Sequence, residues 1–111
     1  MFNLKDIHSL AAGDRIAFKK HTVLRMHRRN ISAEDVKTAL LVCREIEGYP
    51  EDHPLPSGLV LGYVRNRPIH AVIAVDQVEK IIWVITVYEP TLEYWEHGFS
   101  QRRRRDEVSG V

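Results

Sequence analysis

The sequence predicts an α+β domain in which two to three N-terminal helices pack on a curved antiparallel sheet of three to four strands. Three observations carry this. Apolar residues recur at helical spacing from Leu4 to Cys43, then at strand spacing from Ser57 onward. The two halves are separated by the loop Pro50 to Pro56, which holds three prolines. The run Ile81-Ile82-Trp83-Val84-Ile85-Thr86-Val87-Tyr88 is β-branched or aromatic at every position.

In chain order, Leu4, Ile7, Leu10 and Ala11 make a short amphipathic helix over Asn3 to Ala12, with Gly13 as its stop. A second helix spans His21 to Arg29, with Val23, Leu24 and Met26 on one side. Asn30 ends it, because asparagine tolerates the left-handed backbone of helix termini. Ser32 is an N-cap, and Glu34 and Asp35 complement the dipole of the helix it opens. Val36, Ala39, Leu40 and Cys43 form the buried stripe of that helix. Thr22 to Val42 therefore reads as a helical hairpin. The acidic start of its second helix would repel phosphates, which argues against reading DNA in the usual way. Glu45 to Tyr49 is a short strand. Gly58 to Val64, Pro68 to Val75 and Lys80 to Tyr88 are three more, joined by turns at Arg65-Asn66 and at Asp76 to Glu79. The last, apolar on both faces, is expected at the centre of the sheet. Thr91 to Glu96 forms a helical turn. Residues 1–99 make one domain, and 100–111 a basic, flexible tail.

Composition narrows the setting. Cys43 is the single cysteine, so no internal disulfide forms and a cysteine-based zinc centre is excluded within one chain. This points to a reducing, cytoplasmic compartment. The opening Met1 to Lys5 lacks the layout of a signal peptide, and the apolar runs are too short to span a membrane. Net charge is only +1, but its distribution is uneven. Arg15, Lys19, Lys20, Arg25, Arg28 and Arg29 cluster with His21 and His27, and Arg102, Arg103, Arg104 and Arg105 form an unbroken run. Two basic segments can present a positive face to a polyanion.

Several residues are candidates for chemistry. His21, Arg25 and Arg28 stack on one helical face, where guanidinium groups can grip phosphate oxygens. His70 lies in an otherwise apolar strand. It is either a core histidine with a satisfied hydrogen bond or a general acid or base. Thr86 and Tyr88 alternate on one strand and so share a face. The face of His70 depends on the Asp76–Glu79 turn. A plain turn sets it opposite Ile85, and one bulged residue sets it opposite Thr86, on their side. Trp95 and Phe99 serve equally as a partner-binding surface or as packing on the sheet. No histidine pair has the spacing of a helical metal site, and no phosphate loop or nucleophile elbow is present. No cofactor or metal is expected.

His21-Thr22-Val23, Arg25-Met26, Arg29 and Ile31-Ser32 come first in a longer pattern. Glu45-Ile46-Glu47, Tyr49-Pro50, Pro56-Ser57 and Leu61-Gly62-Tyr63 follow, then Arg67-Pro68-Ile69-His70 and Ile85-Thr86-Val87-Tyr88-Glu89-Pro90 with Trp95. In this order they resemble the domain-of-unknown-function 4258 family of small bacterial proteins over roughly His21 to Phe99. The resemblance implies a fold similar to RelE/BrnT-type toxins. It also implies a cognate antitoxin partner of zinc-finger or helix-turn-helix type, and matched positions at His21, Arg25, Arg29, His70, Thr86 and Tyr88. The expected function is metal-independent endoribonuclease action on RNA, by attack of the 2′-hydroxyl on its adjacent phosphate. His70 or His21 would move protons, Arg25 and Arg29 would bind the phosphate, and Tyr88 would orient or donate. Lys19, Lys20, Arg28, Thr86 and Arg102 to Arg105 would follow the RNA backbone. The alternative is a non-catalytic module that binds RNA or protein. A homodimer formed through an exposed strand edge is compatible with either.

Overall fold

In the computed structural model, which describes residues 2–104, the first element is helix α1 (Leu4–Ala12). Asn3 caps it, its side chain accepting from the N–H groups of Lys5 and Asp6. Ile7 and Ala11 are its fully buried residues. Strand β1 (Ile16–Phe18) follows, then α2 (Lys20–Arg28) and α3 (Ala33–Leu41). Asn30 adopts a φ of 57° between them, as a helix stop requires. Ser32 starts α3 with a reciprocal capping box. Its hydroxyl accepts from Asp35 N–H, and the Asp35 carboxylate accepts from Ser32 N–H, both at 3.0 Å. Such a cap contributes about 1 kcal/mol.

The remaining strands are β2 (Arg44–Tyr49), β3 (Ser57–Val64), β4 (Arg67–Asp76) and β5 (Ile81–Tyr88). The sheet order is β1-β5-β4-β3-β2, with β1 parallel to β5 and every other pair antiparallel. All three helices lie on one side, over a core built from residues such as Ile7, Val36, Leu40, Ile73, Ile82 and Val84. Gly62 lets α3 approach most closely. A Cβ there would lie 2.1 Å from the Ala39 carbonyl oxygen, so only glycine fits beneath the helix.

The architecture corrects the expected sheet in three ways. It has five strands rather than three to four, it is mixed rather than purely antiparallel, and β4, not β5, is central. The first two follow from β1, whose three residues pair with Ile82, Trp83 and Val84, whereas β5 lies off centre because it pairs with β4 and not with β2 or β3. A strand that short exists only because a distant partner lies beside it. Cys43 lies just past α3 rather than on it, still buried, and burial pushes its thiol up to about 12. The arginine run does not begin in free chain. Trp95 and Arg102 form an isolated antiparallel bridge, so residues 91–104 cross back over the sheet as a strap. Arg105 lies outside the described residues.

Candidate functional site

One added residue decides where His70 points. Between Val72 and Ile73 on β4, their partners on β5 step from Thr86 to Val84, leaving Ile85 as a bulge. This sets His70 opposite Tyr88 and Thr86 opposite Val72. His70, Thr86 and Tyr88 therefore share the face turned away from the helices. The strand partner of His70 is neither of those the sequence allowed, but the face is the one a bulge requires.

His70 has no exposed surface. Its Nε2 lies 2.8 Å from the Phe99 carbonyl oxygen and its Nδ1 3.2 Å from the Tyr88 hydroxyl. A carbonyl only accepts, so Nε2 carries the proton and Nδ1 accepts from the phenol. The ring meets Trp95 edge-on at 4.4 Å between centroids, and Tyr88 at 5.3 Å. Burial holds His70 below its ordinary value, with the Phe99 bond pulling the other way. Burial likewise raises the Tyr88 phenol. The pair is neutral and fully hydrogen-bonded.

The strap is held over this pair by a second cluster. Arg102 forks onto Glu47 at 2.7 and 3.0 Å, and the Tyr49 hydroxyl donates to the same carboxylate at 2.6 Å. The guanidinium also lies 4.7 Å over the Trp95 ring. Arg102 holds the Glu47 carboxyl below its usual range, against the opposing effect of burial. Arg44 donates to the Ser100 hydroxyl at 2.6 Å, and Arg103 donates to the Leu92 carbonyl and reaches Glu96. The sequence signal for Glu47 and Tyr49 was their alternation on one strand. Their partner, on the far side of the chain order, had no local signal.

Helix α2 lies along the other edge of β5. Beyond Val84 the strand has no neighbour there, because β1 has ended. Thr22 Oγ1 donates to the Ile85 carbonyl at 2.9 Å and Arg29 Nη1 to the Val87 carbonyl at 2.8 Å. Met26, one turn from Thr22, is buried between them. Arg29, expected on phosphate, thus closes a strand edge. His21, Arg25 and Arg28 occupy the next stripe of the helix and are exposed, as are Lys20 and His27. Among the described residues, none of these side chains, nor that of Lys19, forms a hydrogen bond or ion pair. Asn3 and Ser32 cap α1 and α3 through their side chains, whereas Lys19 makes no such bond at the start of α2.

The structure brings His70, Tyr88 and Thr86 together on one face, and His21, Arg25 and Arg28 on another element. No hydrogen bond, ion pair or ring contact joins the two groups among the described residues, and strap residues cover His70. Among those residues no cluster of histidine, cysteine or carboxylate side chains could hold a metal ion. Among the described residues no helix is long and apolar enough to cross a membrane.

A family model described as "Domain of unknown function (DUF4258)" matches residues 18–89, well over half of the chain. The match takes in α2, His70 and Tyr88, and stops before the strap. No curated protein and no solved structure matches the chain. The expected kinship with RelE/BrnT-type toxins gains no support from these comparisons.

Proposed function

The chain belongs to the DUF4258 family, and we propose that it is a toxin-type, RNA-directed protein that grips the RNA backbone through α2. The observation that carries this is the set Lys19, Lys20, His21, Arg25, His27 and Arg28. These are six basic side chains on and just before one helix, with no carboxylate among them and no partner among the described residues. Like charges held this close repel one another, and a polyanion relieves that repulsion while shedding its own counterions. Arg25 and Arg28 stack with His21 on one stripe, so their guanidinium forks can take successive phosphates.

Salt dependence tests this. Each phosphate contact adds about 0.7 to the slope of log affinity against log salt for a single strand. Arg25→Ala with Arg28→Ala should weaken binding to single-stranded RNA and lower that slope by about 1.4. No binding at low salt, or an unchanged slope in the double variant, would contradict the proposal.

Endoribonuclease action by 2′-hydroxyl transesterification is the second reading, and the contact between His70 and Tyr88 favours it. Two acid–base groups there share a hydrogen bond near the end of β5. Under the strap, however, both nitrogens of His70 are engaged, so neither can move a proton for a substrate. His21 is the imidazole open to solvent beside Arg25. RNA incubated with the protein in EDTA should therefore be bound and remain intact. EDTA-resistant cleavage that disappears in His21→Ala or His70→Ala would make the protein a nuclease instead. Growth arrest on expression, relieved by a co-expressed antitoxin-like protein, is the expected outcome in cells.

A further inference from the structure

Beside the 50–56 loop, on the side of the sheet that bears His70, lies a cleft of about 510 Å³, within the usual range for ligand pockets. Its floor is Trp83, paired across the sheet with Ala74. Leu55 and His53 line it from the loop, and Lys19, Asp52 and Asp76 are its charged lining residues. Lys19 is also the residue that precedes α2, so the cleft opens where the cationic helix begins. The Trp83 indole N–H, the Lys19 ammonium and the His53 imidazole have no hydrogen-bond partner among the described residues. Asp52 accepts from the Ser57 hydroxyl through Oδ2, and Asp76 accepts from the Val78 and Glu79 amides through Oδ1. Each carboxylate keeps one oxygen without a protein partner among the described residues.

We propose that this cleft takes one base of a single-stranded RNA, stacked on Trp83, while Lys19 and α2 hold the adjoining phosphates. The proposal rests on the RNA-binding role of α2 given above and adds where a base goes and which bases are preferred. A half-buried indole beside a run of unpaired cations combines the two elements of single-strand binding, an aromatic platform and an electrostatic track. Stacking accepts any base. The carboxylates discriminate, because their free oxygens only accept. They favour adenine, cytosine and guanine, which carry an exocyclic amino group. Uracil offers only its ring N–H.

The test uses the full chain and short labelled oligoadenylate, oligocytidylate and oligouridylate, with binding read by fluorescence anisotropy at one salt concentration. Oligoadenylate and oligocytidylate should bind more tightly than oligouridylate. Trp83→Ala should weaken oligoadenylate binding by about 5- to 150-fold. Leu55→Trp fills the cleft from the loop without touching the strand and should act in the same direction. It decides the matter if Trp83→Ala fails to fold. Asp52→Asn combined with Asp76→Asn should erase the preference over oligouridylate. Arg25→Ala with Arg28→Ala should weaken all three ligands alike and keep the preference. If the folded Leu55→Trp and Trp83→Ala variants bind like the wild type, the cleft is overturned and the role of α2 stands. If the wild type binds none of the three, both fall.

Discussion

The strap side of the sheet and helix α2 use the same residue types in opposite ways. Under the strap, the His70 ring N–H is directed at the Phe99 carbonyl, and Arg102 directs Nε and Nη2 at the Glu47 carboxylate. On α2, His21, Arg25 and Arg28 have no such partner among the described residues. A closed polar network is felt as stability when broken, because its buried partners are left unsatisfied. An open cationic stripe is felt as binding when removed. Availability, rather than residue type, marks a cation for recognition. Arg28 and Arg29 show this within one helix terminus, since Arg29 is committed to the Val87 carbonyl and its neighbour is not.

The largest effect that would sharpen this contrast is expected from His70→Ala. It leaves the Tyr88 hydroxyl and the Phe99 carbonyl without their partner and opens a void beneath Trp95, at a cost of about 3 kcal/mol. Urea unfolding should show that loss, with the RNA affinity of the folded variant unchanged. Reduced affinity at full stability would break the division between the two regions. Arg102→Ala comes next. Its side chain is 56% exposed, so after solvent screening the forked pair contributes only about 1 kcal/mol. Limited proteolysis within residues 91–104 should nevertheless speed up as the strap loosens. RNA cleavage by this variant and not by the wild type would transfer His70 and Tyr88 to the catalytic side of the comparison.

Acid titration should act on the strap side in two steps. His70 is held below its ordinary value of 6.5 by burial. Its contribution to stability is full above that value and is lost as pH falls toward the depressed one. Glu47 is lowered chiefly by the hydrogen bond from Arg102, from an ordinary 4.5. Its contribution is full above that value and is lost only as pH falls below it. Melting temperature followed across pH should fall first in the histidine range and again in the carboxylate range. His70→Gln should flatten the first step and Glu47→Gln the second. A profile flat from neutrality into the carboxylate range would show that neither group is held as described. The smallest change should come from Arg25→Ala with Arg28→Ala, which should alter stability by no more than about 0.5 kcal/mol. A larger loss in urea unfolding would mean that these side chains have structural partners after all.

Much of the scaffold was legible along the chain. Asn30 as a stop, Ser32 as a cap and the two-residue turn at Arg65-Asn66 depend on chemistry within one turn of backbone. The Arg65-Asn66 hairpin and the strands on either side of it lie within a residue or so of their expected bounds. Strand β1 was not legible, because three apolar residues have no strand character without β5 beside them. The face of His70 hinged on whether one residue bulges, and Ile85 carries no mark of it. The open basic stripe was visible as spacing, the commitment of Arg29 was not, and the closure of His70 was one of two readings the sequence left open.

Taken alone, the sequence determined the kind and order of the long elements, where the helices start and stop, and that α2 is basic with no acid to offset it. Those properties arise between neighbours a few residues apart. Tertiary structure decided which cations are engaged and which are open, why β5 lies off centre, and that Phe99 and Trp95 cover His70. Each of these depends on hydrogen-bonding groups far apart in the chain coming within about 3 Å of one another, and no local pattern records that.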